Sequence, residues 1–91
     1  MGIPDSIAEL DTAVAELLAR DDDDNAAVLS AIFKLNNEIG RRLRASGDSA
    51  LRDLQLSIND VTVAAKMLDR RRLATTMAKV KKRALALAPD E

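Results

Sequence analysis

The chain has no cysteine, histidine, tryptophan or tyrosine. Without thiols there is no disulfide framework and no thiolate chemistry, and the redox compartment stays open. Without imidazole or thiolate, the ligands that build transition-metal sites are missing. Nucleophilic catalysis would rest on carboxylates and lysines alone, and Glu9, Asp11 and Glu16 fall on expected solvent faces of a helix. Because no strand pattern is present, no glycine-rich loop follows one, so a phosphate cradle is absent. The expectation is a protein that is not an enzyme and carries no cofactor.

Other residue types are scarce rather than absent. Phe33 is the only aromatic side chain, Pro4 and Pro89 lie near the ends, and three glycines leave long uninterrupted stretches. An Ala-, Leu-, Val- and Ile-rich chain so composed is expected to be helical. Its 91 residues allow one domain, taken as residues 1–91. No apolar run approaches the length of a membrane span, and the N-terminus lacks the basic and apolar regions of a signal peptide. A cytoplasmic protein without membrane contact is the default expectation. Gly2 with Ser6 fits the loose acylation pattern, although a start codon followed by a helix cap accounts for the same residues.

What is present is charge, unevenly placed. Residues 1–24 carry Asp5, Glu9, Asp11, Glu16 and Asp21–Asp24 against the single base Arg20. Residues 66–83 carry Lys66, Arg70, Arg71, Arg72, Lys79, Lys81, Lys82 and Arg83 against Asp69. The formal net charge is nevertheless only −1. The chain is therefore a charge dipole along its own sequence.

Periodicity predicts an all-α fold of three helices. Helix 1 is expected from about residue 5 to 20, with Ser6 and Glu9 as a capping box and Ile7, Leu10, Val14 and Leu17 as a heptad seam. Helix 2 is expected from about 25 to 46, ending at Gly47 as a left-handed cap, with Val28, Leu29, Ile32, Phe33, Leu35, Ile39 and Leu43 on an apolar arc wider than one seam needs and Gly40 marking a close contact or a bend. Helix 3 is expected from about 49 to 88, because nothing before Pro89 must break it. At ~1.5 Å per residue it would span about 60 Å. Leu51, Leu54, Ile58, Val61, Ala65 and Leu68 form its first stripe, while Leu56, Val63 and Met67 lie on nearly the opposite side. After Leu68 the seam moves to Leu73, Met77, Val80, Ala84 and Leu87, a rotation of roughly 90° at ~100° per residue. That rotation reads as a change of packing partner.

The turn Ser46–Ser49 predicts an antiparallel hairpin of helices 2 and 3, which sets Asp23 and Asp24 opposite Arg72 and Arg71. Helix 1 then either extends its acidic length along residues 73–87 or folds back to complete a three-helix bundle. The aspartates are expected to end helix 1, to cap helix 2 at Asp24 or Asn25 and to lie near Arg70–Arg72. Calcium is excluded by spacing: Ala26 stands where an EF-hand loop needs glycine and Ile32 where it needs glutamate.

The stretches "SIAELD" at 6–11 and "SALRDLQLSIN" at 49–59 resemble parts of type III secretion needle subunits, through Asp53, Leu54, Gln55, Ile58 and Asn59. The resemblance covers about a third of the chain and implies a helical hairpin that polymerises into a hollow filament. The family's proline-containing turn is replaced by Ser46–Ser49, Val61 and Val63 stand for its aromatic residues, and "AKVKKRALAL" stands for its apolar C-terminal end.

The function expected from these residues is binding: self-association, or docking with another helical protein. Contacts are assigned to Leu56, Val63, Met67, Leu73, Met77 and Val80, and electrostatic poles to Asp21, Asp22, Asp23, Asp24, Arg70, Arg71 and Arg72. The alternatives are a nucleic-acid-associated protein using the bases of residues 66–83, a needle-like filament subunit, or an engineered helical chain without a biological task. Against nucleic acid, the basic face carries no aromatic, Asn or Gln side chain for reading or stacking bases.

Overall fold

Heptad-like spacing of apolar residues recurs in four segments rather than three. A computed structural model describes residues 2–20 and 22–87. Among them, α1 spans Ile3–Ala19, α2 Ala26–Ser46, α3 Ser49–Met67 and α4 Arg70–Ala84, with no strand. In each helix the buried apolar residues step by threes and fours: Ile3, Ile7, Leu10, Val14 and Leu17 in α1, Val28, Ile32, Leu35 and Ile39 in α2. Leu51, Leu54, Ile58, Val61 and Ala65 continue the pattern in α3, and Leu73, Met77 and Val80 in α4. That spacing gives each helix one apolar seam, the pattern of a helical bundle.

Each helix packs against its two neighbours in the order α1–α2–α3–α4–α1, and the diagonal pairs stay apart. Contacts between named residues fix the directions. Lys34 of α2 meets Glu9 of α1, Asn25 at the start of α2 meets Ala65 at the end of α3, Arg83 meets Asp53, and Lys81 meets Asp11. All four neighbouring pairs are therefore antiparallel. The result is an up-down-up-down four-helix bundle of 40 × 21 × 18 Å.

The expected single third helix is corrected by the break at Leu68 and Asp69. Leu68 adopts the left-handed conformation (φ 55°, ψ 34°). The Asp69 N–H then donates to the Ala64 carbonyl at 3.0 Å and the Leu68 N–H to that of Ala65 at 3.2 Å, the crossed bonds of a Schellman ending. The Asp69 carboxylate immediately caps α4 by accepting from the Arg72 N–H at 3.1 Å. The seam rotation after Leu68 is thus a chain reversal, and not a change of partner along one rod. An unbroken helix would have carried Leu73, Met77 and Val80 past the ends of α1 and α2. Folded back, all three are buried, and burial is worth about 1.5–3 kcal/mol for each such side chain.

The first helix also begins earlier than its capping residues suggest. Asp5 accepts from the Gly2 N–H at 3.4 Å and Pro4 occupies the first turn, so the start falls at Ile3. Ser6 is buried within that turn instead of capping it. At the other end of the hairpin, Gly47 (φ 65°) ends α2 with its N–H on the Leu43 carbonyl, and Asp48 caps α3 through the Ala50 N–H at 2.9 Å.

Candidate functional site

Asp22, Asp23, Asp24 and the three arginines lie at one end of the bundle, where the α1–α2 loop crosses the α3–α4 turn. Asp21 lies outside the described residues. Asp22 accepts from the Asp24 N–H at 3.2 Å, and Asp24 accepts from the Ala26 N–H at 3.1 Å. Asp24 thereby covers the first turn of α2, while Asn25 turns its amide to the Ala65 carbonyl at 2.8 Å and ties α2 to α3. These side chains hold a loop together.

Arg70 reaches this loop, but its partners are backbone oxygens. Its guanidinium donates to the Leu17 carbonyl at 2.7 Å and the Asp22 carbonyl at 2.8 Å. It therefore serves one C-terminal carbonyl of α1, where a cation also suits the helix dipole, and one carbonyl of the loop that follows. Asp23, Arg71 and Arg72 are exposed. The acidic and basic thirds of the chain meet further along the bundle as well, with Lys81–Asp11 at 3.3 Å, while Lys34 of α2 pairs with Glu9 at 3.2 Å. Exposed pairs of this kind contribute about 0.2–1 kcal/mol each. They select the order of the helices more than they stabilise it.

The six side chains assigned to partner contact divide evenly. Leu73, Met77 and Val80 belong to the bundle core. Leu56, Val63 and Met67 stay exposed, at 64%, 43% and 64%. Their spacing places them within about 40° of one another on the outward side of α3. One helical row beside this stripe, toward α2, contains Arg52, Asn59 and Lys66, and the row on the other side contains Asp53 and Asp60. The stripe is therefore an apolar line with a basic margin and an acidic margin, all exposed.

Three exposed apolar side chains escaped the sequence reading, among them Leu68, which stands exposed although it was expected on the first stripe of helix 3. Phe33 on α2 is 68% exposed, although it falls beside the core residue Ile32 in a helix whose apolar arc is broad. Leu85 is exposed just beyond α4. Breadth of the apolar arc was the available signal for Phe33; for Leu85 there was none, because the end of α4 is set by packing.

Leu54 and Ile58, which carry much of the likeness to needle subunits, are fully buried between the helices. Among the described residues, no helix is long and apolar enough to cross a membrane. No protein-family model, curated protein or solved structure matches the chain.

Proposed function

We propose that the protein is a helical interaction module that pairs with a second copy of itself through the outward face of α3. The observation that carries this reading is the exposed line of Leu56, Val63 and Met67. Such a line is costly to keep in water unless something covers it.

The margins favour a second copy and its direction. When two α3 helices lie side by side and parallel, two-fold symmetry sets the basic row of one against the acidic row of the other. An antiparallel arrangement sets each row against itself, which places like charges together. A contact along one helix falls below the about 1,200–2,000 Å² of stable complexes. The pairing is accordingly of the weak, concentration-dependent class, and opposite charges add direction more than affinity.

The solution mass tests this, measured by light scattering over a range of protein concentration and salt. A dimer that loosens with dilution and with salt is expected. Leu56→Glu with Val63→Glu should give a monomer whose unfolding midpoint is unchanged. Reversing Arg52 and Lys66 to glutamate should also dissociate the pair, and reversing Asp53 and Asp60 to lysine in the same chain should restore it. A monomer at all concentrations removes the reading, and dissociation that the second reversal fails to rescue removes the parallel arrangement.

A further inference from the structure

The outward side of α4 carries basic side chains that the bundle does not use. At ~100° per residue, Arg71 and Lys82 fall within about 20° of one another, and Arg72 and Lys79 do so on a second row about 80° away. Both rows lie away from the buried Leu73, Met77 and Val80, and all four residues are exposed. The other exposed residues of this side are small: Ala74, Ala78 and Thr75. Thr75 turns its hydroxyl back to the Arg71 carbonyl at 3.1 Å. From Arg71 to Lys82 the rise is about 16 Å at ~1.5 Å per residue.

Their neighbours on α4 are already matched. Lys81 holds Asp11 of α1 at 3.3 Å, Arg83 reaches Asp53 of α3 at 4.0 Å, and Arg70 is bound to carbonyls of α1 and its loop. Among the described residues, the side chains of Arg71, Arg72, Lys79 and Lys82 have neither a hydrogen bond nor an ion pair. The unpaired carboxylates bordering them are Asp23 at the start of α4 and Asp60 on α3. This side of the molecule therefore keeps a surplus of positive charge, although the net charge of the chain is −1. A second copy has little to match it with. On the acidic helix α1, Asp5 holds the Gly2 N–H, Glu9 holds Lys34 and Asp11 holds Lys81, which leaves Glu16.

We infer that the outward face of α4 grips the phosphate backbone of double-stranded DNA without reading its sequence. The major groove of B-form DNA admits an α-helix, and small side chains between the cations let this one approach closely. Two cationic rows splayed around the helix then point toward phosphates on either side of it. No aromatic, Asn or Gln side chain stands among them, so neither base-edge readout nor stacking on a single strand is available. An anionic membrane fits less well, because the apolar side of α4 is turned into the core and has nothing to insert. This face is separate from the apolar stripe of α3 and does not depend on it.

Fluorescence anisotropy of short labelled DNA duplexes, titrated with the full chain across a range of salt, tests the inference. Two duplexes of unrelated sequence should bind within about threefold of one another, as backbone contacts require. The logarithm of affinity should fall against that of salt with a slope of about −3.6, from four phosphate contacts at ~−0.9 each. Arg71→Gln with Lys82→Gln should halve that slope and weaken binding at least tenfold at low salt, in a chain that remains folded by circular dichroism. Arg41→Gln with Arg44→Gln, at exposed positions of α2, should change neither. Polyglutamate and phosphatidylserine vesicles should each compete at least tenfold less well than unlabelled duplex. Absence of binding at low salt, or an equal loss from the α2 pair, would overturn the inference. Equal competition by polyglutamate or by the vesicles would overturn it too, assigning the face to an acidic protein or to a membrane.

Discussion

The guanidinium of Arg70 lies 2.7 Å from the carbonyl oxygen of Leu17, 53 residues earlier in the chain. The same side chain donates to the Asp22 carbonyl at 2.8 Å, so one residue at the start of α4 closes the end of α1 and the loop that follows. Hydrogen bonds from a charged donor contribute about 1.5–3 kcal/mol when partly buried. Arg70→Ala should therefore lower the urea unfolding free energy by about 2 kcal/mol. Arg70→Lys should recover only part of it, because an ammonium lacks the planar fork that reaches both oxygens. Arg71→Ala and Arg72→Ala, at exposed positions, should stay within about 0.5 kcal/mol of the parent.

Leu68 holds a left-handed backbone conformation that an L-residue adopts at a cost of about 1–2 kcal/mol. Its side chain is not among those packed on the core. Leu68→Gly should stabilise the protein by about 1 kcal/mol, a rise of roughly 4–8 °C in melting temperature for a chain of this size. No change or a decrease would mean that the Leu68 side chain, and not the backbone, directs the reversal.

Gly40 was expected to mark a close contact or a bend. A Cβ placed there would meet only the end of the Arg44 side chain, at 3.6 Å, an ordinary contact. No neighbouring helix needs the missing side chain. Gly40→Ala should accordingly raise stability by about 0.5–1 kcal/mol through the unfolded state, read as a higher urea midpoint with an unchanged slope.

Leu73 and Leu56 have the same side chain and opposite surroundings: one is fully buried and the other is 64% exposed. Leu73→Ala should cost about 2–5 kcal/mol in thermal or urea unfolding. Leu56→Ala should cost less than about 0.5 kcal/mol at concentrations where the chain is monomeric. Comparable losses at the two positions would place the α3 stripe in the interior.

What the sequence by itself determines is local. Helix class follows from composition and from apolar residues repeating at threes and fours. The end of α2 follows from Gly47, because a left-handed cap favours a residue without Cβ, and the start of α3 from the adjacent Asp48. The second apolar face of α3 is legible too, since 56, 63 and 67 recur at helical spacing. Asp69 was a legible cap as well, standing where the seam changes phase, but neither glycine nor proline accompanied it.

Only the tertiary structure decides which stripe is covered. Leu73, Met77 and Val80 repeat just as Leu56, Val63 and Met67 do, yet the first set is core and the second faces outward. Periodicity records that a face is apolar; it carries no information about what lies against it. The break at Leu68 was decided in the same way, because the strain of one left-handed residue is small beside the burial of three apolar side chains against α1 and α3.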